Sequence, residues 1–354
     1  MTIRAVLSEV WRNVATGTTK AVLWALVTAV ALTGFTVADA MTLRGIERDA
    51  LRFHEAAADA RKLATPGQID AATCDRLAGT STIQAAGAVR ETGTTTVDQA
   101  PDVPLTTYQV SPGLGAVVGV AAPQPYGVWI EAGLAESLGV RRGDLLTTRA
   151  GPMPVAATFT WPDDGRDARL GFAVLVPVVA DYPFDECWIR AWPAVDANDQ
   201  LLLSVMTVSV SGTLAPISQI NKNYGTTLDS YALYRGRVTR HVVWVAPLFF
   251  LVVGFIASWR RRLEYAAALH ARQSRGALLL GVAAETATWA SVGALITLTA
   301  DAAAVRTLGF AQTTPAWMIA ANTVWWSAFA AVVGALAGAT SIREKDLFRF
   351  FRAR

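Results

Sequence analysis

The chain has 354 residues, of which 53% are hydrophobic and 17% charged, with a net charge of +3 and a mean hydropathy of +0.34. Such a composition is too apolar for a soluble domain of this length, which sets aside an ordinary cytosolic enzyme or nucleic-acid-binding protein. Crossing a hydrocarbon core as helix takes roughly 17–25 apolar residues, and stretches that meet or approach this are predicted at residues 21–40, 242–259, 277–300 and 316–340.

Residues 1–20 precede the first span. Ile3, Val6, Leu7, Val10, Trp11 and Val14 recur at helical spacing, with Arg4, Glu9, Arg12 and Asn13 opposite. That stripe describes an amphipathic helix lying in the inner membrane interface. Ala38-Asp39-Ala40 has the form of a signal-peptide cleavage site, a rival reading of the first span. The patterned segment ahead of it and the length of the apolar run favour an uncleaved span.

Residues 41–240 are of mixed polarity and long enough to bury a core of their own. "MTLRGIERDALRFHEAAADARKLA" is predicted to carry the first helix outward as a stalk until Pro66-Gly67 breaks it. A short helix at "IDAATCDRLAG" runs into a strand at "STIQAAGAVRE", and the same alternation returns at "GLAESLGVRRGDLLTTRAG". Further strands are predicted at "VAATFTW", "GFAVLVPVV", "CWIRAWPA" and "LLLSVMTVSV", and helix again from Ala215 to Arg240, broken at Gly225. The pattern is that of an α+β domain.

Arg4, Arg12 and Lys20 precede the first span, Arg260, Arg261, Arg262, Arg272 and Arg275 fill residues 260–276, and Arg343, Lys345, Arg349, Arg352 and Arg354 lie in 341–354. The loop 301–315 holds only Arg306. The positive-inside rule therefore puts both termini and the loop 260–276 in the cytoplasm and the large domain outside. Both cysteines of the chain, Cys74 and Cys187, fall in that outer block, where an oxidising compartment permits a disulfide; the alternative is two buried thiols. Pro247 is expected to kink the second span. Gly334 and Gly338 allow close helix approach, within one subunit or between two.

Little in the sequence points to catalysis. Lys20, Lys62, Lys222 and Lys345 lack the glycine-rich context of a phosphate loop, so ATP hydrolysis by this chain is not expected. His54, His241 and His270 lie in separate segments, without metal-ligand spacing. Glu285 is the conspicuous residue, an acid inside an apolar run that costs about 2.5–3.5 kcal/mol there unless paired. An arginine of the 260–276 loop or of the N-terminal helix is its expected partner.

The order of these segments resembles the MacB and FtsX-like (type VII) permeases of ABC transporters. "VWIEAGLAESLGVRRGDLLTT", with Leu134, Ala135, Leu138, Gly139, Gly143 and Asp144, resembles a strand, helix and turn of the MacB-type core domain. Glu264, Ser274, Arg275 and Glu285 match in order and spacing a family pattern around a cytoplasmic coupling helix, although Arg272 stands where that pattern has glycine. The resemblance implies four transmembrane helices with an α+β extracytoplasmic MacB-like core domain inserted between helices 1 and 2. It also implies docking of a separate ABC ATPase on Glu264, Tyr265, Leu269, His270, Arg272, Ser274 and Arg275, with ATP and Mg on that partner and no cofactor on this chain. A second permease subunit, identical or not, is expected, and no nucleic acid. The implied function is mechanotransmission for export or extraction of a peptide, lipid or drug. The alternative is an FtsX-like transmembrane regulator of a cell-wall hydrolase, whose outer domain is usually smaller.

Overall fold

The computed structural model describes residues 3–80, 82–120, 126–149, 151–179, 182–192, 197–207, 216–225, 227–311 and 313–344. Lys345, Arg349, Arg352 and Arg354 of the basic tail lie outside the described residues, as do residues 208–210 of one expected strand. The chain forms two units, Met1–Glu47 with Tyr231–Arg354, and Arg48–Ser230.

Helix α1 (Ile3–Ala15) is followed by α2 (Ala21–Glu55), which runs without interruption from the apolar span into the charged stretch. α2 stops at Glu55, short of the predicted break at Pro66-Gly67. Ala57 takes a left-handed φ of 51°, the N–H of Ala58 donates to the carbonyl of Phe53, and that of Ala57 to the carbonyl of His54. This paired closure, with Phe53 packed on Ala58, is a Schellman ending built without glycine. The chain then enters strand β1 (Ala60–Ile69), and Pro66-Gly67 falls where the register of β1 against its neighbour shifts.

The second unit continues with α3 (Ala71–Arg76), β2 (Ile83–Val97), β3 (Ala100–Val110), α4 (Leu114–Val118), β4 (Val128–Glu131), α5 (Ala132–Leu138), β5 (Leu145–Thr148), β6 (Gly151–Phe159), β7 (Ala173–Pro177), β8 (Phe184–Ala191), α6 (Ala197–Leu203) and β9 (Ile217–Gln219). The nine strands form one sheet in the order β3-β7-β4-β6-β5-β2-β8-β1-β9, and β3 also pairs with β2. That extra pairing closes a ring through β2, β3, β7, β4, β6 and β5. β2 serves both halves, pairing with β8 over Ile83–Val89 and with β3 from Val89 onward, past an irregularity at Glu91–Gly93.

Two sequence expectations change here, and one strand is present where the sequence suggested none. Over its described residues, 201–207, "LLLSVMTVSV" forms no strand: Leu201–Leu203 end α6, where Leu202 is fully buried and Asp199 in the first turn pairs with Arg61 at 2.5 Å. The segment from Ala215 is not uniformly helical, because Ile217–Gln219 adds to β1 as β9. β3 is a strand despite Pro101 and Pro104, which fall between its paired residues Ala100 and Leu105, where no ladder N–H is needed.

Trp129, Trp188, Tyr108 and Leu114 centre one apolar core of this unit, and Leu63, Ile69, Phe184 and Ile189 another. The Cys74–Cys187 disulfide ties α3 to β8 inside the second core, with Cα atoms 6.0 Å apart across a sequence separation of 113. The turn stretch behaves as its residue types dictate. The Glu131 carboxylate caps α5 by accepting from the Leu134 N–H at 2.9 Å, and Gly139 ends it at φ 66°. A half-buried charge cluster links the segment before β7 to β1 and β8. Lys62 lies 2.5 Å from Asp167, and Arg169 lies 2.7 Å from Asp167 and 2.9 Å from Glu186. Burial raises the proton affinity of Asp167, but the hydrogen bonds from Arg169 and Lys62 outweigh it and hold the carboxyl well below its ordinary range.

The first unit is completed by α7 (Ser230–Gly236), α8 (Val242–Trp259), α9 (Arg262–His270), α10 (Arg275–Leu308) and α11 (Thr313–Thr340). Four helical stretches, α2, Val238–Trp259, α10 and α11, are long and apolar enough to cross a membrane. α8 runs on through Pro247. Leu32, Phe250, Trp289 and Val324 form the shared core of these helices. α8 and α11 approach to backbone contact: a Cβ on Gly334 would lie 1.9 Å from the Leu251 carbonyl oxygen, and one on Gly254 2.0 Å from that of Ala331. The small residues of α11 are therefore used within this chain.

α10 extends well past the predicted span end at residue 300, so most of the expected loop 301–315 is helix. Asp301 is buried and accepts from the Thr36 hydroxyl at 2.7 Å. The helix end is held by Arg44, which donates to the Leu308 carbonyl at 2.8 Å, and by Glu47, which accepts from the Ala311 N–H at 2.9 Å.

Candidate functional site

Three helices of the first unit meet around one carboxylate. α1 turns Val6 and Val10 inward, while Trp11 on its flank stays 73% exposed. This places Asn13, one turn further along the same helix, against α10, where its side-chain N–H donates to Glu285 at 2.8 Å. The other Glu285 oxygen forms an ion pair with Arg261, which lies in the turn between α8 and α9. Arg261 also donates to Glu264 of α9 at 2.8 Å, and its guanidinium lies 5.1 Å from the Tyr265 ring centre. One arginine thus links α9 to the interior of α10, and one carboxylate links α10 to α1.

Burial works against the Arg261 charge, but Tyr265, Glu285 and Glu264 more than compensate, so its proton affinity lies above the ordinary guanidinium range. Burial pushes the Tyr265 hydroxyl up to about 12. The cluster borders a cavity of about 180 Å³ that Glu9, Asn13, Glu264, Gln273 and Glu285 help to line. It has the chemistry of an electrostatic joint between helices, with no nucleophile and base paired in it. Among the described residues no three His, Cys, Asp or Glu side chains converge at metal-ligand spacing.

The other residues picked from the sequence separate into two groups. Glu264, His270, Arg272, Ser274 and Arg275 are exposed, whereas Tyr265 is buried and Leu269 half-buried. Tyr265 points into the apolar cluster of Ala266, Leu278, Val282 and Ala339, so in this structure it supports α9 from beneath and offers no outward contact. Ser274 caps α10, its hydroxyl accepting from the Ala277 N–H at 3.4 Å. His270 pairs with Glu344 at 3.0 Å on the surface.

Arg272 occupies the left-handed region at φ 63°. Its N–H donates to the Leu269 carbonyl and that of Gln273 to the Ala268 carbonyl, the double closure usually completed by glycine. The helix end expected from a glycine is therefore present with arginine in its place.

The sequence does not mark Asn13, Asp39 or Asp301 as residues of a polar joint. Asp39 belongs to the sequence's cleavage-site form, and in the structure it pairs with Arg237 at 3.1 Å. Asp301 begins the expected loop 301–315 but lies within α10. The sign that both were structural was their spacing from apolar helical neighbours, which continues through them.

The chain has four helical stretches long and apolar enough to cross a membrane and an α+β unit lying, in chain order, between the first and second of them. No family model and no curated protein matches the chain. Among solved structures it is similar to the periplasmic region of MacB from Actinobacillus actinomycetemcomitans, with a TM-score of 0.30 and 11% identity, over 40% of this chain and 79% of that one. It is also similar to the extracellular domain of the noncanonic ABC-type transporter YknZ from Gram-positive bacteria, with a TM-score of 0.30 and 12% identity, over 46% of this chain and 98% of that one.

Proposed function

We propose that this chain is a permease subunit of a bacterial ABC system of the MacB type, set in the cell membrane with both termini and α9 in the cytoplasm and the sheet unit outside. A separate ATPase supplies the energy, docking on the outward side of α9 and the turn after it, and a second permease subunit completes the assembly. The chain itself performs no chemistry and binds no nucleotide. It transmits motion so that a peptide, lipid or drug is exported or extracted.

The observation that supports this best is the Arg261 joint. Because Arg261 holds Glu264 of α9 and Glu285 of α10 at once, and Asn13 of α1 shares Glu285, a push on α9 is passed into a span and not absorbed by a slack loop.

Arg272 and Arg275 are exposed and lie outside that joint, so their reversal probes docking alone. Arg272→Glu with Arg275→Glu is expected to weaken co-purification with the partner ATPase by about tenfold, with membrane insertion unchanged. Undiminished co-purification together with undiminished stimulation of ATP turnover would show that α9 is a solvated loop helix and that the coupling reading is wrong.

A further inference from the structure

At the end of α8 opposite Arg261, Arg235, Arg237 and Arg240 crowd into six residues of chain. α7 carries the first, and the 3-10 turn Val238–His241 brings the last alongside it, with Arg240 donating to the Arg235 carbonyl at 2.7 Å. Arg237 is held in place by Asp39 at 3.1 Å, by the Tyr234 carbonyl at 2.8 Å, and by the Tyr234 ring 4.0 Å below its guanidinium. Among the described residues, Arg235 and Arg240 have no carboxylate partner. Arg235 lies over Tyr231 at 5.6 Å, and Arg240 touches His241 at 3.0 Å.

The three arginines, Asp39 and Tyr234 line a cavity of about 370 Å³ whose other wall is made by Val243 of α8 and by Ile319 and Thr323 of α11. Thr239 is also in the lining, and its buried hydroxyl oxygen has no hydrogen-bond partner among the described residues. Three guanidinium groups against one carboxylate leave a surplus of positive charge, and a buried hydroxyl without a partner is costly unless a ligand or water answers it. Below the arginines, Trp244 and Leu248 of α8 are 76% and 63% exposed. A molecule that satisfies both ends has an anion at one end and hydrocarbon at the other.

We propose that this cavity binds the phosphate of an anionic phospholipid. Arg235 and Arg240 neutralise the phosphate, Thr239 adds a hydrogen bond, and the acyl chains follow Val243 and Ile319 onto the exposed face of α8. Arginine suits the role because its planar fork meets phosphate oxygens in pairs, and the aromatic rings beneath two of the three arginines hold the forks ready. Only the leaflet, the outer one, depends on the orientation proposed above.

The test is native mass spectrometry of the full chain released from nanodiscs of equal phosphatidylglycerol and phosphatidylcholine. Wild type is expected to retain phosphatidylglycerol over phosphatidylcholine by about tenfold, and equal retention of the two overturns the proposal without recourse to any variant. Arg235→Gln with Arg240→Gln should abolish the preference, Arg235→Lys with Arg240→Lys should keep part of it, and Thr239→Val, which removes one hydroxyl, should lower it. Arg141→Gln with Arg142→Gln, an exposed pair in the other unit, should leave it intact. A preference that survives the first variant, or falls equally in the last, overturns the assignment to this cavity. A final arm adds millimolar inorganic phosphate. Unchanged lipid retention supports the phospholipid, whereas complete displacement, with phosphate binding equally well in lipid-free detergent, overturns it in favour of a soluble phosphate ligand.

Discussion

Arg261 stands between two carboxylates that differ in what their loss would do. Glu264 is 57% exposed at its side chain, so Glu264→Ala should cost no more than about 1 kcal/mol. Glu285 is 9% exposed at its side chain, and Glu285→Ala leaves the Arg261 charge buried without its main partner, for which about 3–5 kcal/mol is the expected loss. Thermal unfolding in detergent should order the two variants accordingly, and Arg261→Met with Glu285→Leu should recover much of the loss, since an apolar pair of similar size replaces both charges. That Glu285 needs a partner was legible from an acid in an apolar run. Which partner was not, because Arg260, Arg261 and Arg262 are consecutive and only the rotation at the end of α8 decides which faces α10. Asp301 and Asp39 were missed for a related reason: the sequence marks an acid, but its partners, Thr36 and Arg237, lie 265 and 198 residues away.

Among the elements, the spans and most strands were legible because their apolar patterns are long and unbroken. The ends of helices were less so. α2 and α9 both close through left-handed residues that are not glycine, Ala57 and Arg272, so the usual stop signal is missing from the sequence at each. Glycine matters instead in the middle of α11. A Cβ on Gly334 meets the backbone of α8, which has no rotamer to move, and Gly334→Ala should destabilise the helical unit by about 1–3 kcal/mol. Gly276 of α10 has open space around it, and Gly276→Ala should change stability by no more than about 1 kcal/mol, in the favourable direction. Loss of helical circular dichroism on heating distinguishes the two, and equal behaviour would mean that α8 and α11 are not in backbone contact. β3 and β9 were overlooked because prolines in one and brevity in the other hide strands that exist only through pairing.

For the whole molecule, two units with separate apolar cores should unfold in two transitions, and reductant should lower only that of the sheet unit, where the disulfide spans a sequence separation of 113. The chain-entropy limit for such a loop is about 4.7 kcal/mol. Acid should act on the same unit through Asp167. A carboxyl whose folded proton affinity is depressed contributes stability that is fully present above its unfolded pKa, about 3.9, and is lost as pH falls through the folded value. The gap in melting temperature between wild type and Asp167→Asn should therefore stay constant from neutral pH to about pH 5 and close below about pH 4; a gap that widens in acid would contradict the pairing with Lys62 and Arg169.

The ring of strands has a consequence for behaviour in a crowded bilayer. Proteins confined to a membrane meet one another repeatedly in the same orientation, and an open strand edge on each would invite strand addition from copy to copy. Here β2 and β3 close the sheet on one side, and α4 packs against β2 so tightly that a Cβ on Gly87 would lie 2.1 Å from the Leu114 nitrogen. On the other side the terminal strand is β9, only three residues long. A domain finished in this way can be displayed at high density without polymerising through its sheet edges.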